Sequence, residues 1–122
     1  MTTSRARLGR WGEGVASRFL QEKGYRIITT NYRSLWGELD IIAQDGEELV
    51  FVEVRTRHSV KYGTPEESLS DAKVQRLLDT CHNYLQRYAD PDAHWRIDLV
   101  CIRLGPGYRL ESVSHLPYAV QL

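Results

Sequence analysis

The chain predicts an α/β fold: one mixed five-stranded sheet flanked by two helices, in the order helix, three strands, helix, two strands. Three observations carry this. Apolar residues recur at helical spacing over two stretches, about Leu8 to Lys23 and Val74 to Tyr88. Residues 38–57 alternate with a period of two around Asp45-Gly46, a pair that tolerates positive φ and marks a hairpin. The run from Trp95 to Leu104 is apolar enough for a strand covered on both faces. A length of 122 residues suits one domain, 1–122, with one core; residues 1–7 are polar and read as flexible.

The first helix carries Leu8, Trp11, Val15, Ala16, Phe19 and Leu20 as a stripe, and Gly24 ends it as a C-cap residue. Gly9, Gly12 and Gly14 each cost about 1 kcal/mol against alanine inside a helix. Close packing on the sheet accounts for them, or the approach of a phosphate backbone. Glu13 lies at the border of the stripe. Tyr25 to Tyr32 reads as the first strand, and Asn31, Tyr32 and Arg33 lead into a turn. The hairpin supplies strands two and three. Residues 58–69 follow as a loop with turn chemistry at Gly63 and Pro65, in a position to cover a bound ligand. Ser70 caps the second helix, with Lys73 flanking its stripe. In the fourth strand Asp98 interrupts the apolar run as a structural acid, bonded to Arg96 or to a loop. Gly105-Pro106-Gly107 turns into a short edge strand, Tyr108 to Val113.

Chemistry concentrates in the hairpin. A loop of two or four residues sets Asp40 opposite a residue of odd number, 51 or 53. Asp40, Phe51, Glu53 and Arg55 then share one side of the sheet, and Leu39, Ile41, Val52 and Val54 share the other as an unbroken apolar face. Two close carboxylates repel, so one protonates or both bind a cation. One or two carboxylates with waters and phosphate oxygens suit magnesium. A half-exposed edge hairpin with Glu53 and Arg55 in water is the other reading of the same alternation.

Sixteen basic residues balance sixteen acidic ones, so binding to nucleic acid has to rest on a local patch. Residues 1–33 offer one, with Arg5, Arg7, Arg10, Arg18, Lys23, Arg26 and Arg33 against Glu13 and Glu22; an ordinary solvated face is the alternative. Cys81 and Cys101 fall at apolar positions and read as core, and the four histidines show no ligand spacing. No stretch approaches the roughly 20 apolar residues of a membrane span, and none near the N-terminus resembles a signal peptide. A cytoplasmic protein with no membrane partner is expected.

The segments GRWGEGVASRFLQEKGY, NYR, GELDIIA, LVFVEVRTR, YGTPEESL, AKVQRLL, NYL and RIDLV span nearly the whole chain. In that order and spacing the sequence resembles the YraN-like family of small bacterial proteins, which are similar to archaeal Holliday-junction resolvases. GELD followed by VEVR resembles the PD-(D/E)xK nuclease superfamily. The resemblance implies a restriction-endonuclease-like core and a metal-dependent endonuclease hydrolysing DNA phosphodiesters, with branched or damaged DNA as substrates. It implies that Asp40, Glu53 and the backbone carbonyl of Val54 bind magnesium or manganese, with Glu13 completing the shell or orienting a water. Glu38 and Lys73 are expected to support these groups, and Arg7, Arg10 and Arg33 to contact DNA. A homodimer stays open.

At position 55 the superfamily has lysine and this chain has Arg55. Lysine can release a proton and position a nucleophile, whereas arginine stays protonated. Arg55 can stabilise phosphoryl charge but cannot act as a general base. Two readings therefore stand: an endonuclease, and a nucleic-acid-binding module that keeps the fold without useful catalysis.

Overall fold

The structure is a computed structural model that describes residues 4–58 and 69–122. Helix α1 (Ser4–Glu22) leads into β1 (Arg26–Arg33), β2 (Glu38–Asp45) and β3 (Glu48–Arg57); α2 (Asp71–Tyr88) precedes β4 (His94–Leu104) and β5 (Leu110–Leu116). The strands lie side by side in sequence order, with β3 parallel to β4 and the other pairs antiparallel. A parallel neighbour needs a long crossover, and the segment containing α2 provides it. The α/β architecture and the element order are those the sequence predicts.

Element boundaries follow local chemistry. Helix α1 begins at Ser4, so residues 4–7 form its first turn; residues 1–3 of the segment read as flexible lie outside the described residues. A polar first turn offers no apolar periodicity from which to detect it. Gly24, at φ +94, takes the left-handed conformation that ends the helix. Ser70 caps α2 by accepting a hydrogen bond from Lys73 N at 3.3 Å. Strand β5 starts at Leu110 rather than Tyr108, because the turn closed by Gly105 N donating to Arg109 O at 2.8 Å takes up the residues before it. The expected covering loop, 58–69, lies outside the described residues except for His58 and Leu69.

Each helix covers one face of the sheet. Ala16 and Leu20 of α1 pack on Ile41, Ala43, Val50, Val52, Val100 and Ile102. Leu77, Cys81 and Tyr84 of α2 pack on Leu39, Ile42, Phe51 and Ile97. Gly12 lets α1 settle on the sheet: a Cβ there would meet Thr56 Oγ1 at 2.6 Å. Gly9 and Gly14 have open space beside them, so packing explains one of the three helical glycines.

The β2–β3 loop holds two residues, with Asp45 opposite Glu48, as an even-length loop requires. The expected apolar face does not extend through Leu39, however. Ile41 lies under α1, whereas Leu39 lies under α2 with Ile42. Two features break the alternation. Asn31 adopts φ 55 between the pairs Thr30–Ile41 and Tyr32–Leu39. The β2–β3 ladder begins at Ile41–Val52, so Glu38 and Leu39 are paired with β1 alone. Freed from β3, the end of β2 turns Leu39 to the other core.

The opposite end of the sheet is closed by polar contacts. Buried Arg96 donates from Nε to Asp98 Oδ1 at 2.9 Å, from NH1 to Glu48 at 2.8 Å, and from NH2 to Tyr25 at 2.7 Å and Asp45 at 3.0 Å. Asp98 also takes His115 Nε2 at 2.7 Å and Tyr118 N at 3.1 Å. It is the structural acid the sequence suggests. His115, one of the four histidines without ligand spacing, is the partner that ties β5 to it.

Candidate functional site

The splaying of β2 from β3 creates the site. Where the ladder stops, the Asp40 carboxylate replaces a backbone acceptor: Val54 N donates to Asp40 Oδ2 at 2.8 Å. Asp40 lines a cleft on each side. One, of about 290 Å³, lies toward α2 with Glu38, Glu53, Lys73, Arg76 and Thr80; the other, of about 230 Å³, lies toward α1 with Arg5, Gly9, Glu13 and Thr56.

Carboxylate oxygens of Glu13, Glu38 and Asp40 lie within 4.8 Å of one another. Burial and then the charge of Glu53 push the Asp40 carboxyl up to about 7, with Glu13 and Glu38 acting in the same sense and the Val54 N–H opposing. Burial also raises Glu13, against the hydrogen bond from the Asn31 side chain. Three carboxylates this close favour protonation or a cation. An all-oxygen set of this kind is chemically suited to magnesium or manganese.

Glu53 is differently placed. Its buried Oε1 lies 3.3 Å from Lys73 Nζ and 3.3 Å from Arg55 Nε. The Arg55 contact is an ion pair without hydrogen-bond alignment. Arg55 Nε and NH2 are buried with no hydrogen-bond acceptor among the described residues. Buried donors without partners are costly, and these two belong to a cation that borders the acidic group.

The expected residues thus fall into two sets around Asp40. Glu13 and Glu38 gather with it directly, Glu38 more closely than a supporting role implies, while Glu53, Arg55 and Lys73 form an adjoining charged group. Of the basic residues, Arg33 pairs with Glu38 at 3.3 Å and stays exposed. Arg7 and Arg10 line hollows around Trp11 that open beside Tyr108 and Leu110, so the three arginines do not form one cluster. The sequence does not single out Arg76 and Thr80, and Asn31 reads there only as part of the approach to a turn. Arg76 and Thr80 follow Lys73 at i+3 and i+7, a spacing that marks one helix face. Asn31 is among the residues that most readily adopt positive φ.

Fold and site together define a class: an α/β protein with a carboxylate cluster at the open end of a sheet. The profile of the uncharacterised protein family UPF0102 matches residues 12–102, and the chain belongs to that family, the YraN-like family of the resemblance. A UPF0102 protein of Roseiflexus castenholzii is 43% identical, covering 99% of this chain and 98% of its own. Relatives from Symbiobacterium thermophilum and Moorella thermoacetica are 47% and 42% identical, covering 85% and 93% of this chain and 88% and 95% of theirs. Among the described residues no helix is long and apolar enough to cross a membrane.

Proposed function

We propose that the protein is a metal-dependent nuclease acting on DNA, with its centre at Asp40. The observation that supports it most directly is the convergence of Glu13, Glu38 and Asp40 within 4.8 Å, one of them buried enough to be pushed up to about 7. Asp40 and Glu13 would hold the ion, with Glu38 or Glu53 and the Val54 carbonyl as further oxygen donors. A bound magnesium or manganese ion supplies Lewis acidity toward phosphate and water. The chain's own groups do the rest. Val54 N–H fixes the Asp40 carboxylate, and Asn31 orients Glu13. Arg55 offers its free buried donors to phosphate oxygens, and Lys73 holds Glu53. Arg33, paired with Glu38, is a surface contact beside the acids.

Arg55 favours a second reading, a DNA-binding module on a nuclease fold, because arginine does not give up a proton. One assay separates the two. Branched, flapped, single-stranded and duplex DNA are incubated with magnesium or manganese, using wild type, Asp40→Asn, Arg55→Lys and Arg55→Ala. A nuclease cleaves as wild type, loses cleavage in Asp40→Asn, and loses roughly 100-fold in Arg55→Ala, as is typical for groups that stabilise transition-state charge. Cleavage by Arg55→Lys but not by wild type identifies the binding module. No binding and no cleavage by any of these proteins removes both readings.

A further inference from the structure

We propose that the turn between β1 and β2 is a wedge, with Leu35 and Trp36 entering the base stack of DNA where a strand is branched or interrupted. The inference rests on the nuclease reading and names the residues that engage the DNA. Leu35 is 97% exposed and Trp36 47% exposed, and neither belongs to a core cluster. Single exposed apolar residues are common; two adjacent ones on a braced tip beside an acidic centre are a different observation. Ser34 N donates to Gly37 O at 2.9 Å, and Ser34 Oγ accepts from Trp36 N at 3.1 Å. Gly37 abuts α2, where an added Cβ would stand 3.2 Å from Thr80 Oγ1. The tip is therefore held from below while its apolar side chains face water.

Its position relative to the acids makes DNA the favoured occupant. The foot of the turn is the Arg33–Glu38 pair, and Glu38 is one of the three clustered carboxylates. Leu35 stands three residues from Glu38, a reach of about 10 Å at most. Stacked DNA rises about 3.4 Å per nucleotide along one strand. A base displaced at Leu35 thus lies within about three nucleotides of a phosphate at the acids. Arg33, 79% exposed in its side chain, supplies a cation at the same foot. Apolar side chains that part a base step are an established way for proteins to hold distorted DNA, and an aromatic ring stacks on a freed base.

The test places 2-aminopurine beside the branch of a four-way or three-way DNA junction and beside a nick, with continuous duplex as control, and with calcium in place of magnesium so that the clustered carboxylates are compensated. Wild type should raise the emission on junction and nick. Leu35→Ser should abolish most of the rise while binding continuous duplex as wild type does. Trp36→Ala should weaken junction binding by about five-fold or more. Leu35 makes no core contact, so an unchanged melting temperature certifies the fold. An equal rise with wild type and Leu35→Ser overturns the wedge and leaves the nuclease reading standing. So does a Leu35→Ser effect confined to self-association in sedimentation or to vesicle binding. Failure of wild type to bind any of the DNAs overturns the nuclease reading and the wedge with it.

Discussion

Asp40 is the residue at which burial, repulsion and the need for a cation meet. Its folded value of about 7 stands above the ordinary 3.8, so over that interval the folded chain holds a proton the unfolded chain has lost. The sign follows: stability of metal-free protein falls as pH rises from about 4 to about 7. Thermal melts in chelator between those limits should show the fall, and Asp40→Asn should flatten it. At pH 8 the same variant should be more stable than metal-free wild type, by at most about 4 kcal/mol at 1.36 kcal/mol per unit. Magnesium or manganese should raise the wild-type melting temperature and not that of the variant. A pH-independent wild type, or equal metal shifts in both proteins, would show that Asp40 does not sense the cluster.

Among the elements, α1 brings Glu13 to the carboxylates of β2, and its seating on β3 fixes where Glu13 stands. Gly12 controls that seating, because a Cβ there would lie 2.6 Å from Thr56 Oγ1. Gly12→Ala should therefore destabilise by about 1–3 kcal/mol through overpacking, despite alanine's better helix propensity. Gly14→Ala, where nothing lies within 4 Å, should instead stabilise by about 0.5–1 kcal/mol. Urea midpoints of the two variants should move in opposite directions. Thr56→Ala should relieve the Gly12→Ala penalty, a coupling readable in a double-mutant cycle. The periodicity of α1 was visible in the sequence, but the difference between these glycines was not, because it depends on which one faces β3.

Across the whole molecule, the two ends of the sheet treat charge in contrasting ways. At one end Arg96 meets Asp45, Glu48 and Asp98; at the other, three carboxylates crowd together and Arg33 pairs with only the outermost. Burial pushes Asp98 up, but hydrogen bonds from His115, Arg96 and Tyr118 N outweigh it and hold the carboxyl below its ordinary value. A depressed folded value contributes stability above the unfolded value, lost as pH falls below about 4 toward the folded one. Asp98→Asn should cost about 3 kcal/mol at neutral pH, because it strips charge from a buried ion pair. The variant should also lose less stability than wild type below pH 4. Denaturant titrations at pH 7 and pH 3 check both; an unchanged midpoint at pH 7 would remove Asp98 as the closure of that end.

The fold was legible because it is written in local periodicity. Helical stripes, strand alternation and the Asp45-Gly46 turn depend on side chains a few residues apart, and the even hairpin register followed from which side chains had to avoid water. The sequence, with the family resemblance, also located Glu13, Glu38, Asp40, Glu53, Arg55 and Lys73 as a candidate set. How those charges pair is decided by tertiary structure. The division into a carboxylate cluster with Glu38 and an ion-paired group with Glu53 depends on β2 standing away from β3 before Ile41 and on Asn31 taking a left-handed conformation. The same departure sends Leu39 to the opposite core. Leu35 and Trp36, unremarkable in a list of apolar residues, become conspicuous only once both cores are filled without them. Contacts between distant segments form through space, and no spacing along the chain encodes them.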